Sequence, residues 1–176
     1  MISDQQAEID ILFEQLFADY QQPILNYLYR LVGDAARAEE LAQETFVKAY
    51  RSLSRLPADA NRRAWLYRIA TNCGYDHLRR RRLVQWLPLM ERDSTFAAQS
   101  DPAEAAGEED AVRGALAQLS PGHRAVLILF SVQGYSTKEI AEVLEISPGA
   151  VKTRLCRARE KFRQLYGGRY DDGLEN

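Results

Sequence analysis

The chain has little that chemistry could be built on. Cysteine occurs twice, at Cys73 and Cys156, far apart in the sequence and with no cluster of cysteines and histidines around either. That pattern excludes a disulfide framework and gives no zinc site, so no metal and no cofactor is expected. Histidine also occurs twice, and His77 and His123 stand apart from any nucleophile motif. A glycine-rich phosphate loop is missing, and the carboxylates fall on solvated faces or in a linker, so the chain is not expected to be an enzyme. Long apolar runs are missing as well. Asp4, Glu8, Asp10, Glu14 and Asp19 interrupt the N-terminal stretch, which predicts no membrane insertion and a cytoplasmic location. Nor is there an excess of positive charge: 23 Lys and Arg against 25 Asp and Glu give a net charge of -2. A nucleic-acid surface in such a chain must be local and offset by acidic segments elsewhere.

What is present is helical periodicity and segregated charge. Ile9, Leu12, Phe13, Leu16, Phe17 and Tyr20 recur at spacings of three and four, the stripe of an amphipathic helix. Pro23 is expected to open a second helix that closes at Gly33, and Asp34 to cap a third that runs to about Leu53. In that third helix Leu41, Thr45 and Ala49 share one face, while Glu40, Gln43, Glu44 and Val47 point out. Pro57, Asp59 and Asn61 mark a loop, and a further helix starts near Arg62. Trp65, Leu66 and Ile69 in that helix sit at core spacing. Four consecutive arginines, Arg79 to Arg82, follow.

From Val84 to about Gly107 the periodicity fades and Pro88, Ser94, Ser100, Asp101, Pro102 and Gly107 accumulate. This reads as a flexible acidic linker. At about 3.3 to 3.6 Å per residue, it can hold its ends roughly 80 Å apart. Helices are expected over Asp110 to Leu119 and Pro121 to Val132, and the tail from Gly167 has no apolar face.

The stretch YSTKEIAEVLEISPGAVKTRLCRAREKFRQL, from Tyr135 to Leu165, predicts a helix-turn-helix. Ser136 or Thr137 caps the first helix, whose Ile140, Ala141 and Leu144 face inward. Glu145 and Ile146 make the turn, and Ser147 with Pro148 starts the second helix. There Val151, Leu155, Ala158 and Phe162 form the inner side, which leaves Gly149, Lys152, Thr153, Cys156 and Arg157 outward, with Arg154 and Arg159 on the flanks. In a helix-turn-helix such an outward set meets base edges, and flanking arginines hold phosphates.

The fold class expected is therefore all-α, with two small helical domains joined by a flexible linker. The boundaries are 9–83, 84–107 and 108–166, with a tail at 167–176. Two blocks then resemble a known family. RAEELAQETFVKAY and AWLYRIATNCGYDHLRRRR are similar to region two of bacterial RNA polymerase sigma factors, and LSPGHRAVLIL with GYSTKEIAEVLEISPGAVKTRLCRAREKF is similar to region four. Both blocks, in that order and separated only by a linker, resemble the small two-domain extracytoplasmic-function type.

That resemblance implies core RNA polymerase, promoter DNA and an anti-sigma factor as partners. Glu40, Gln43 and Glu44 match the face that docks on the beta-prime clamp coiled coil, and the second domain is implied to meet the beta flap. Ser52, Leu56, Arg68 and Asn72 match the pocket that captures a flipped base of the minus-10 element, and Arg79, Arg80, Arg81 and Arg82 would track phosphates at the duplex edge. Thr137, Lys138, Lys152, Thr153, Arg154, Cys156, Arg157 and Arg159 are the minus-35 candidates, with Arg157 foremost because a guanidinium grips guanine bidentately. Thr137, Lys138 and Glu145 depart from the family's usual residues at the DNA edge. The rival expectation is a stand-alone helix-turn-helix regulator, which would bind duplex DNA without polymerase.

Overall fold

The computed structural model describes residues 4–86 and 107–171, and among these it forms seven α-helices and no strand. The inner part of the expected linker and the end of the tail lie outside the described residues. α1 (Asp4–Val32), α2 (Ala35–Leu53) and α3 (Arg62–Trp86) pack on one another as the first module. α4 (Glu108–Ala117), α5 (Pro121–Ser131), α6 (Thr137–Leu144) and α7 (Pro148–Asp171) form the second, and α7 is the helix against which the other three are laid.

Most of the expected caps are where local chemistry puts them. The Asp34 side chain accepts from the Arg37 amide at 2.9 Å, which fixes the start of α2. Ser136 caps α6 in a reciprocal capping box with Glu139, and Ser147 accepts from the Ala150 amide at 3.2 Å with Pro148 in the first position of α7. Glu145 closes α6 in the left-handed region, at φ 53°.

Pro23 is a correction. It opens no new helix but lies inside the continuous α1. An internal proline costs about 3 kcal/mol, yet Ile24, Tyr27, Leu28 and Leu31 beyond it are all fully buried, at about 1.5–3 kcal/mol for each large apolar side chain. Their stripe is in phase with Leu16 before the proline, so a break there would take one half off the core. α7 likewise continues past Gly167 to Asp171, where a tail was expected.

The two modules are not held apart. α1 and α3 pack against α4, α5 and α6, and a single apolar cluster runs from Leu16 to Ala158. At its centre Tyr27, Tyr67 and Tyr135 stack edge to face, with centroids 5.3 Å and 5.1 Å apart, an arrangement that aromatic quadrupoles favour. Tyr27 and Tyr67 come from the first module and Tyr135 from the second.

Candidate nucleic-acid interface

α3 carries the first surface. Arg68, Asn72 and Arg79 fall at spacings of four and seven, so they share one side of the helix. Asn72 is exposed, and Arg79 pairs with Asp76 at 2.9 Å. Arg80, Arg81 and Arg82 are exposed. Arg79 and Arg82 also line a cleft of about 560 Å³ with Tyr75, Leu78, Leu83 and Pro121. Burial raises the Tyr75 phenol to about 12, so it stays protonated there.

Ser52 and Leu56 stand at the other end of this module, where α2 gives way to the loop. Ser52 donates to the Lys48 carbonyl at 2.7 Å, and Leu56 is half-buried against the core. Arg68 is not free: its Nη1 donates to Oε1 of Glu145 at 3.1 Å. Asn61, at the start of α3, accepts from the Ala64 amide and donates through Nδ2 to Glu142 at 3.2 Å.

On α2, Glu40 and Gln43 are exposed and Glu44 is half-buried. Glu40 pairs with Arg37 at 2.5 Å and Glu44 with Lys48 at 2.6 Å. Glu40 and Glu44 line a depression of about 130 Å³ whose far wall is Cys73, His77 and Arg80 of α3. Desolvation, with Arg37 and Arg81 nearby, pulls the His77 imidazole below its ordinary range. Lys48 also approaches the Cys73 sulfur at 3.5 Å.

The helix-turn-helix carries the second surface. Val151, Leu155 and Ala158 are buried on α5 and α6, and this rotation turns Lys152, Thr153, Cys156 and Arg157 into solvent. The Thr153 hydroxyl donates back to the Gly149 carbonyl at 3.1 Å. A Cβ on Gly149 would meet only Ser147 Oγ, at 3.9 Å, so the fold does not require glycine there and the bare backbone faces outward. Thr137 is half-buried and Lys138 exposed on α6. Arg159 lies with its guanidinium 4.6 Å over the Phe130 ring. Arg154 is half-buried and turns toward Gly122 and Tyr75, on the side of the first module.

Sequence reasoning did not anticipate the residues that join the modules. Arg63 sits 4.1 Å over the Tyr135 ring and donates to the Gln133 carbonyl at 2.7 Å, while the Tyr67 hydroxyl donates to the Gln133 side chain at 2.6 Å. Arg113 donates to the Tyr29 hydroxyl at 2.7 Å. The one available signal was Tyr135 itself, a large aromatic immediately before a capping serine. Among the described residues no group of three metal-ligating side chains converges, and no helix is long and apolar enough to cross a membrane.

Comparison with known proteins matches this two-module layout. The family described as Sigma-70 region 2 matches residues 16–84, and that described as Sigma-70, region 4 matches residues 109–162. The chain is 36% identical over 155 residues to the RNA polymerase sigma factor CarQ of Myxococcus xanthus, covering 88% of this chain and 89% of CarQ. It is equally 36% identical over 155 residues to the ECF RNA polymerase sigma factor SigL of Mycobacterium tuberculosis, covering 86% and 87%. Its fold is similar to that of the sigma factor RpoE solved with the anti-sigma factor NepR from Bartonella quintana, with a TM-score of 0.70, 27% identity and coverage of 87% and 95%. CnrH, solved with the cytosolic domain of CnrY, gives a TM-score of 0.65 at 27% identity, covering 89% and 88%. With both regions present in order over most of its length, the chain belongs to the sigma-70 family and is an RNA polymerase sigma factor of the extracytoplasmic-function type.

Proposed function

We propose that this sigma factor divides promoter reading between its modules, acting in the cytoplasm by binding and not by catalysis. The 9–83 module docks on core polymerase through Glu40, Gln43 and Glu44 and captures the minus-10 strand through Ser52, Leu56, Arg68 and Asn72. Arg79 to Arg82 follow the phosphates. The 108–166 module reads the minus-35 duplex through Lys152, Thr153, Cys156 and Arg157, with Thr137, Lys138, Arg154 and Arg159 at the margins.

The observation that carries this reading is the exposed face of α7. Its inner side chains are fixed in the core, and the outward ones are cationic or hydrogen-bonding at the positions a recognition helix offers to base edges. The exposed amide and acidic groups on α2 suit an arginine-rich helix on the clamp, because charge-assisted hydrogen bonds fix register. Strand opening needs no energy source of its own. A surface that binds the unpaired strand and not the duplex shifts the equilibrium toward the open state. An anti-sigma factor is the remaining partner, supported by the complexes in which the similar structures were solved.

The test is run-off transcription with core polymerase on a promoter selected by the full chain. Glu44→Arg should weaken core binding at least tenfold, about 1.4 kcal/mol, while duplex affinity stays unchanged. A chain that binds duplex sites unaided and gives no defined start site with polymerase would contradict the reading.

A further inference from the structure

Leu83 is 63% exposed, the most of any large apolar side chain among the described residues, and it stands on the wall of the 560 Å³ cleft between α3 and the start of α5. Six of the lining residues come from α3 in two adjoining rows. Tyr75, Leu78 and Arg82 follow one another at spacings of three and four, and so do Asp76, Arg79 and Leu83. Pro121, at the first position of α5, makes the facing wall. At about 1.5 Å of rise per residue, the trough from Tyr75 to Leu83 is about 12 Å long. Its walls are apolar over Tyr75, Leu78, Leu83 and Pro121, and its charge is concentrated on Arg79 and Arg82, one turn apart. Asp76 is the one acid among the described lining residues, and Arg79 already meets it at 2.9 Å, so the surplus charge is cationic. Tyr75 adds no negative charge, because burial holds its phenol protonated up to about 12.

We propose that this cleft is a binding site for a small amphipathic anion, a single carboxylate or phosphate head on an unbranched apolar tail. The head sits between Arg79 and Arg82, where guanidinium groups give charge-assisted hydrogen bonds that fix its orientation. The tail lies along Tyr75 and Leu78 and covers Leu83 and Pro121, and removal of that apolar surface from water drives association. The volume suits such an occupant, since small-molecule sites are roughly 300–1,000 Å³, mostly apolar and oriented by a few polar groups. Promoter phosphates alone would use the two guanidiniums and leave the apolar trough uncovered. An occupant shares Arg79 and Arg82 with the phosphate path assigned above, so it would compete with DNA there. That competition rests on the promoter assignment; the site itself does not.

The experiment is calorimetric titration of the full chain with sodium decanoate, below its micelle-forming concentration, and with decyltrimethylammonium as the tail-matched cation. Decanoate should bind saturably, one per chain and at least tenfold tighter than the cation, and should raise the thermal midpoint. Arg82→Glu should abolish the preference for the anion, and Leu83→Glu should weaken decanoate at least tenfold. Both positions are exposed, so the thermal midpoints of the unliganded variants should stay with that of the parent, which separates a lost site from a lost fold. Vesicles of anionic phospholipid present the same chemistry from a second source. Binding to vesicles without binding to free decanoate would overturn the site. So would equal affinity for the two amphiphiles, uptake that does not saturate, or a Leu83→Glu chain that binds decanoate as the parent does.

Discussion

The guanidinium of Arg124, buried at the start of α5, donates to the main-chain carbonyl of Leu31 at the end of α1, across the boundary between the two modules. Its Nη2 donates to Ala117 at 2.7 Å and to Leu119 at 3.1 Å, where α4 ends. No carboxylate is among these bonds. The charge is met instead by carbonyls left over at two helix C-termini, where the helix dipole is negative and acceptors lack intrahelical donors. One side chain thus caps a helix from each module.

Arg124→Met keeps much of the apolar stem and removes the donors, leaving buried carbonyls unsatisfied. The expected loss is about 1–3 kcal/mol, read from the urea midpoint of the full chain. Arg124→Lys should recover only part of it. A single ammonium cannot reach in two directions as the planar fork does.

This joint also marks the limit of what the sequence discloses. The ends of α2, α6 and α7 were legible because each is written locally: Asp34 three residues before Arg37, Ser136 three before Glu139, Ser147 ahead of Pro148. The outward face of α7 was legible for the same reason, since Val151, Leu155 and Ala158 fix its rotation. Pro23 misled because its local preference was outweighed by an apolar stripe that spans it. The packing of one module on the other was not legible. Its contacts, such as Tyr67 with Gln133 and Arg124 with Leu31, pair residues distant in sequence, and no periodicity records such a pairing. Arg68 was picked out as a strand-binding residue, but nothing in the sequence paired it with Glu145.

The two thiols should differ sharply in reactivity. Cys156 is exposed on the outward face of α7, whereas Cys73 is buried and its thiol is pushed up from its ordinary value chiefly by that burial. Since the thiolate is the reactive form, titration of the native chain with a disulfide reagent near neutral pH should give one fast equivalent and one slow one. In denaturant both should be fast. Blocking the fast thiol should weaken minus-35 duplex binding, because the adduct stands between Lys152 and Arg157. Two fast equivalents in the native chain would contradict the burial of Cys73.

The capping box of α6 predicts a pH signature. The Glu139 carboxylate accepts from the Ser136 amide at 2.8 Å, and this bond holds its carboxyl below the ordinary glutamate range. A carboxyl depressed in the folded state adds stability above its unfolded pKa, and that stability disappears as pH falls through the folded value. Glu139→Gln should therefore be less stable than the parent near neutral pH, with the gap closing at acidic pH. Ser136→Ala removes the other half of the box, at a cost of about 0.5–2 kcal/mol in thermal or urea unfolding.

Arg157 gives the sharpest test of base reading, because its position on α7 separates two kinds of contact. It is exposed on the same side as Lys152, Thr153 and Cys156, and none of the hydrogen bonds or ion pairs described above engages it. Arg159, two residues on, lies over Phe130 at the edge of that face. A guanidinium at the centre of the outward face can reach the two acceptors of guanine, whereas one at the edge reaches phosphate. Arg157→Ala should cost about 1–3 kcal/mol on a promoter with the preferred base and far less when that base is changed. Arg159→Ala should weaken all minus-35 sequences alike and lower the steepness of the salt dependence. Run-off transcription across a set of single-base minus-35 variants measures both. Uniform weakening by Arg157→Ala would move that residue to the phosphate backbone and leave base discrimination to Lys152, Thr153 and Cys156.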